Sequence, residues 1–328
     1  VYLYRGKWTN DSREFTYHRL NRFQNKVELF AADPATGRTR LLLADTDPCY
    51  IDESTDLWFL ADNQRFLWTS ERSGWREIYL YDRASGKLLK QLTAAKLPVG
   101  AIQEVDEARG LVYFSGSEAN GTETHAYRVK LDGTGFARLT REPGTHRVSF
   151  SPTCDYYTDA FQSFDQPAKT TLFAADGKAV KVLSETVLPK EFLDYGLIKP
   201  EHFQFKSADG KYDLDGILYF PAHFDPSEKY PVILSIYGGP GSKGVNNRFL
   251  MADGSQALAQ LGFLVAVCDY RGVSGRGKAF QNLHYMKLGQ VELEDHVAFV
   301  KALGRRPYVD TARVGVTGHS YGGYFTCL

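Results

Sequence analysis

Four stretches in the first part of the chain repeat one form: a strand-like apolar run, an Asp with a Gly close behind, and a second strand-like run. The anchors are Asp33 with Gly37, Asp82 with Gly86, Asp132 with Gly133, and Asp176 with Gly177. Asp and Gly suit a tight turn between antiparallel strands, because Asp bonds its own downstream backbone and Gly accepts a positive φ. The anchors are spaced roughly 45–50 residues apart, the period of a four-stranded propeller blade. Further strand-like pairs fill the intervals, at residues 57–60, 65–69 and 111–115. No long amphipathic helical pattern precedes residue 190. A β-sandwich also accepts many short strands and stays open as the alternative, but the repetition favours a β-propeller. The expectation is a partial β-propeller of about four blades over residues 1–190.

The character changes near residues 188–200, beyond which strands alternate with helices. Residues 202–206 and 213–220 alternate like a hairpin. Residues 232–237 form a buried-strand pattern, with Pro231 at the start, where a missing N–H is tolerated. Ser255 can cap a short helix through Leu261, with Gly262 to end it. Residues 263–268 are continuously apolar, as a strand covered on both faces should be. Residues 291–303 place Leu293, Val297, Val300 and Leu303 on one helical face, with Gly304 as the stop. A short strand, 313–317, then leads into a turn and a helix-like run. This order predicts a doubly wound parallel sheet over residues 191–328. Ligands would bind beyond its strand C-termini, where Tyr237, Asp269 and Ser320 fall.

Composition removes several classes. Lys plus Arg and Asp plus Glu both number 39, so no electrostatic footprint for nucleic acid or an anionic membrane is present. No apolar stretch approaches the roughly 18 residues of a membrane span. Val1 opens directly into an aromatic strand-like run without an initiator Met, so the N-terminus reads as missing. Cys49, Cys154, Cys268 and Cys327 are dispersed, and Cys268 and Cys327, in apolar segments, are expected to be buried thiols. No histidine pair has the spacing of a zinc helix, and no cofactor is called for. Asn10-Asp11-Ser12 and Asn120-Gly121-Thr122 fit the glycan sequon, which has meaning only on a secretory route.

The chemistry concentrates at Gly318-His319-Ser320-Tyr321-Gly322, of the form G-x-S-x-G. Between a strand and a helix this is a nucleophile elbow. The sharp turn strains the serine backbone and pushes its hydroxyl outward, and the glycines leave room for strand and helix to meet. Ser320 is the expected nucleophile, against the alternative of an ordinary serine in a turn. Tyr237-Gly238-Gly239-Pro240-Gly241 follows an earlier buried strand, where a second oxyanion donor belongs. Residues 272–278 fit G-x-x-x-x-G-K, but Ala279 stands where a Ser or Thr should reach magnesium. A flexible loop near the site is the better reading. His284 and His296 tempt as bases, yet they precede the serine, whereas the hydrolase order is Ser, Asp or Glu, then His. They read as solvated or locally bonded histidines, and His319 as pointing away from Ser320.

A propeller followed by an α/β-hydrolase resembles the prolyl oligopeptidase clan of serine peptidases, and within it the dipeptidyl peptidase IV family. The motifs that carry this are YGGPG at 237–241, DYRG at 269–272, LGQVELED at 288–295, GHSYGGY at 318–324 and TSERSGWREIYLYD at 69–82. The resemblance implies Ser320 as the acylated nucleophile, with the Tyr237 hydroxyl and the Tyr321 N–H as oxyanion hole. It implies a peptide substrate, cleaved to release an N-terminal dipeptide after proline or alanine. It leaves room for a homodimer and leans toward a periplasmic or secreted setting. Two departures matter. His319 stands where the family often has Trp; His is found there in related serine peptidases, including ones directed to acidic residues. The family's glutamate pair for the substrate amine has no match here and is expected before Val1, as the triad Asp and His are expected after Leu328. The chain then reads as an internal piece, truncated just after the nucleophile elbow and inactive alone. A clan relative of acylaminoacyl or glutamyl specificity, and a non-catalytic propeller used for binding, remain as alternatives.

Overall fold

The computed structural model describes residues 1–52 and 56–328. Its first half is built of four antiparallel four-stranded units. The first holds β1 (Tyr2–Trp8), β2 (Phe15–Leu20), β3 (Lys26–Ala32) and β4 (Thr39–Thr46). The second holds β5 (Leu57–Phe59), β6 (Arg65–Ser70), β7 (Glu77–Asp82) and β8 (Leu88–Gln91). The third holds β9 (Val99–Asp106), β10 (Leu111–Glu118), β11 (Glu123–Lys130) and β12 (Ala137–Arg138). The fourth holds β13 (Thr145–Phe150), β14 (Tyr156–Gln162), β15 (Lys169–Ala174) and β16 (Ala179–Glu185). Units three and four join into one sheet where Thr124 of β11 pairs with Thr145 of β13 in parallel.

Each repeated Asp–Gly pair lies in the turn between the third and fourth strands of its unit. Gly37, Gly86, Gly133 and Gly177 have φ of 71°, 67°, 80° and 85°. Each Asp carboxylate accepts a downstream N–H: Ala35 at 2.8 Å, Ser85 at 2.8 Å, Thr134 at 2.8 Å and Lys178 at 2.9 Å. The period-2 alternation of the strands then packs unit against unit. Phe66 and Trp68 of β6 and Tyr79 and Tyr81 of β7 face the first unit, alongside Leu29 and Leu43. Their neighbours Leu67, Ile78 and Leu80 face the third unit, alongside Val112, Phe114 and Tyr127.

After α1 (Lys190–Asp194) comes a five-stranded sheet of order β17-β18-β20-β19-β21. Its strands are β17 (Glu201–Lys206), β18 (Asp213–Tyr219), β19 (Tyr230–Ile236), β20 (Leu264–Cys268) and β21 (Val309–Gly318). Only part of the sheet is parallel: β19 runs with β20 and β21, whereas the β17–β18 hairpin meets β20 antiparallel. The expected doubly wound parallel sheet is thus a mixed one, because a hairpin must return in the opposite sense. Both faces are covered. Leu264 and Ala266 pack with Phe299, Leu303 and Phe325 on one side, and Val265 packs with Tyr219 and Ala259 on the other.

The helices are α2 (Gly254–Ala259), α3 (Lys278–Gln281), α4 (Val291–Leu303) and α5 (Tyr321–Thr326). Asp253, not Ser255, caps α2, its carboxylate accepting from Ser255 N and Gln256 N. The inward face of α4 carries Glu292, Asp295 and His296 with Phe299 and Leu303, while Val297 is exposed. Cys268 is buried as expected, but Cys327 is exposed.

The two halves are closely docked. Asn247 donates its N–H to Thr122 O (2.7 Å) and its side-chain N–H to Glu123 Oε1 (3.2 Å). It also accepts from Thr145 Oγ1 at its carbonyl (2.9 Å) and from Phe164 N at its Oδ1 (2.9 Å). The 272–278 segment is packed rather than free: Lys278 is buried, its ammonium 2.7 Å from Glu71 Oε2 and 4.1 Å from the Tyr50 ring.

Candidate active site

The C-terminal ends of β19 and β21 lie side by side, with Ile236 paired to Gly318. Past Gly318 the chain turns through His319 and Ser320 into α5. Ser320 has φ 56° and ψ −119°, an uncommon backbone for a residue with a side chain, and it is exposed at the surface. Gly322 N donates to His319 O at 2.9 Å, and Tyr324 N to Ser320 O at 3.1 Å, closing the first turn of α5 around the serine.

The flanking glycines are required by close approach. A Cβ on Gly322 would stand 2.3 Å from Ile236 O and 3.0 Å from Tyr237 Cα. A Cβ on Gly318 would stand 2.4 Å from Gly322 O and 2.7 Å from Ile236 O. Strand, turn and helix therefore meet backbone to backbone, and that contact brings the residue after β19, Tyr237, beside the serine turn. The Tyr237 and Tyr321 rings lie 6.2 Å apart at 57°. Tyr237 is half exposed. As the first residue of α5, Tyr321 has an N–H with no acceptor inside the helix. The structure thus brings together Ser320, Tyr237 and Tyr321, the three residues expected from the sequence.

The loop after Tyr237 is held from beneath. The Tyr270 hydroxyl donates to Gly239 O at 2.8 Å and lies 2.7 Å from Ser242 Oγ. Asp269 Oδ1 accepts from Gly244 N at 2.8 Å and Val245 N at 3.0 Å. Burial pushes the Asp269 carboxyl up to about 6, against the pull of Lys243. Lys243 sits 3.9 Å away, and burial lowers its ammonium to about 8. Asp269 is thus an anchor beneath the loop rather than a ligand-facing group. Arg271, also buried, locks the next stretch to α4, its N–H and Nε bonding the Asp295 carboxylate at 2.7–3.0 Å.

Both candidate histidines are buried; His296 is locally bonded, as one reading of the sequence expected, and His284 is neither solvated nor bonded among the described residues. His296 Nδ1 is 2.7 Å from Glu292 O, and neither ring nitrogen of His284 has a partner among the described residues. Burial lowers the pKa of both. Neither bonds Ser320. Among the described residues no group of three or more potential metal ligands is gathered, and no helix is long and apolar enough to cross a membrane.

Sequence reasoning missed the polar stripe of α4. Glu292 is fully buried and accepts the Tyr321 hydroxyl at 2.6 Å. The signal was present: Glu292, Asp295, His296, Phe299 and Leu303 follow helical spacing, but a count of apolar residues alone passes over the first three.

Residues 1–168 match the dipeptidyl peptidase IV (DPP IV) N-terminal region, and residues 251–328 match the prolyl oligopeptidase family. The probable dipeptidyl-aminopeptidase B of Emericella nidulans is 31% identical over 93% of this chain and 35% of its own length. Human dipeptidyl peptidase 8 is 30% identical over 100% of this chain and 43% of its own. The chain therefore spans less than half the length of these relatives. The crystal structure of Porphyromonas gingivalis dipeptidyl peptidase 4 superposes with a TM-score of 0.88 at 31% identity, over 99% of this chain and 46% of that one. A putative dipeptidyl aminopeptidase IV from Bacteroides ovatus gives 0.89 at 28% identity, over 99% and 49%. The family match covers more than half of the chain and includes residues 318–322, and the chain belongs to the dipeptidyl peptidase IV family of the prolyl oligopeptidase clan.

Proposed function

We propose that this chain supplies the nucleophile and oxyanion hole of a serine exopeptidase that removes N-terminal dipeptides after proline or alanine. The observation that carries the reading is the Ser320 backbone, at φ 56° and ψ −119°, cradled by glycines against the end of β19. Residues 1–190 contribute propeller blades, one from each four-stranded unit. Residues 191–328 contribute the first part of the hydrolase domain.

Ser320 Oγ attacks the scissile carbonyl carbon, and its proton passes to a histidine base supplied by sequence outside residues 1–328. The carbonyl oxygen becomes an oxyanion received by the Tyr237 hydroxyl and the Tyr321 N–H. One such donor is worth about 2.7–4 kcal/mol in the transition state. The C–N bond then breaks, the base returns the proton to the leaving amine, and water releases the acyl group from Ser320.

The test is labelling with a fluorophosphonate probe. The full-length protein is expected to label and its Ser320→Ala variant is not; equal labelling of both removes Ser320 as nucleophile. Residues 1–328 alone are expected not to turn over Gly-Pro-arylamide, for want of the base, and robust turnover would refute this. A substrate panel separates the nearest alternative, which turns on His319: release of acylated or acidic residues in place of dipeptides would move the enzyme to a related specificity.

A further inference from the structure

Glu292, in the first turn of α4, is fully buried, and the chemistry above gives it no part. Its Oε1 accepts two hydrogen bonds, from the Tyr321 hydroxyl at 2.6 Å and from Gly289 N at 2.6 Å. Its Oε2 has no partner among the described residues. A buried carboxylate with one oxygen unserved costs folding stability, so packing alone would favour an apolar side chain at this point. The Tyr321 phenol keeps its proton, since burial and the Glu292 carboxylate both raise its pKa, and it remains a donor.

The clamp reaches both halves of the site. A Cβ on Gly238 would lie 3.5 Å from Tyr321 Cε1, 3.7 Å from Phe325 Cγ and 3.8 Å from Glu292 Cγ. Glu292 and the Tyr321 ring therefore form the floor under the residue that follows Tyr237. The same glutamate also ties the Gly289 turn to α5 through one oxygen, and its main-chain carbonyl fixes the buried His296 ring at 2.7 Å.

We propose that Glu292 is a positioning residue: by clamping the Tyr321 hydroxyl and Gly289 N–H on one oxygen, it seats the Tyr321 ring against Gly238 and sets the spacing between Tyr237 and Tyr321. The inference rests on these two tyrosines being the oxyanion donors. A misplacement of roughly 1 Å at such a site costs up to about 10²-fold in rate.

The test uses the full-length protein, with kcat and KM measured per fluorophosphonate-titrated site. Tyr321→Phe, which removes one oxygen atom and nothing else, is expected to lower kcat roughly tenfold to a hundredfold with KM changed less than about threefold. Glu292→Leu is expected to do the same. Glu292→Gln keeps an acceptor oxygen for both donors and gives the unserved position an amide, so it recovers most of the loss. Where Glu292→Leu fails to fold, Tyr321→Phe and Glu292→Gln decide. An unchanged kcat per titrated site in Tyr321→Phe overturns the proposal, because a merely structural bond would alter the yield of titratable sites and not their turnover. A Glu292→Gln variant as impaired as Tyr321→Phe also overturns it, since the clamp would then be intact and irrelevant. Wild-type protein that neither labels nor turns over dipeptide substrates sinks the peptidase reading itself, a different result from an active wild type with indifferent variants.

Discussion

Gly322→Ala isolates the contact that brings the serine turn to the end of β19. Gly322 does not have a positive φ, so the substitution is a pure test of space. The added methyl would meet Ile236 O at 2.3 Å, Tyr237 Cα at 3.0 Å and Ile236 C at 3.2 Å. All three are backbone atoms and none can swing aside. Ordinary van der Waals separation returns only after α5 and β19 part by about 1 Å. Overpacking of this kind costs roughly 1–3 kcal/mol, offset by about 1 kcal/mol from replacing a helical glycine with alanine. The net loss of stability is then roughly 0–2 kcal/mol, small enough for the protein to fold. The catalytic effect is larger, because the displacement separates Tyr237 from Ser320 and Tyr321, and a 1 Å error costs about 10²-fold. The control is one residue on. A Cβ on Gly323 would come no closer than 3.6 Å to Gly318 O. Gly323→Ala should retain full activity with a helix stabilised by up to about 1 kcal/mol. The assay is kcat per titrated site in the full-length enzyme, beside the denaturation midpoint. A Gly322→Ala enzyme with wild-type turnover would refute the reasoning, as would equal damage from Gly323→Ala.

Two further predictions concern the propeller and its seam. His18 is buried between Tyr4 and Trp68, and burial holds its pKa down at about 4. Its depressed value means the stability it contributes is complete above pH 6.5 and is lost as pH falls through about 4, a difference of roughly 3 kcal/mol. His18→Phe should flatten that part of the stability–pH curve, followed by tryptophan fluorescence in denaturant at pH 7, 5.5 and 4; parallel curves for variant and wild type would contradict it. At the seam, Lys278→Met leaves the Glu71 carboxylate without its ammonium and should cost up to roughly 3–5 kcal/mol, while Lys278→Met with Glu71→Leu should recover much of it. Additive losses in that double-mutant cycle would show that the pair is not coupled.

Much of this architecture can be read from residues because the backbone demands them. Four turns need an Asp acceptor and a glycine at positive φ, and both are written at each repeat. The serine turn needs two glycines, and Gly318 and Gly322 flank Ser320. What escapes a reading by hydrophobicity is polar burial. Leu293 and Val297 mark an apolar stripe on α4, yet the inward face belongs to Glu292, Asp295 and His296, whose burial is compensated by Tyr321, Arg271 and the helix's own backbone. Those partners lie 24 and 29 residues away in sequence or one helical turn back, and no local propensity records them. The cap of α2 is ambiguous for a simpler reason: Asp253 and Ser255 are both capping types, and only the extended backbone at Asp253, with φ −96° and ψ 171°, settles which one caps.

The segment that leaves Tyr237 is anchored on the propeller within ten residues, through Lys243 to Asn120 O at 3.1 Å and Asn247 to Thr122 O at 2.7 Å. Linkage runs both ways along such a tether. The Tyr237–Asn247 segment therefore joins the end of β19 to the starts of β11 and β13, where Thr122 accepts from Asn247 N and Thr145 donates to Asn247 O. Residues of the first half of the chain, far from Ser320, thereby share in holding the segment on which Tyr237 sits.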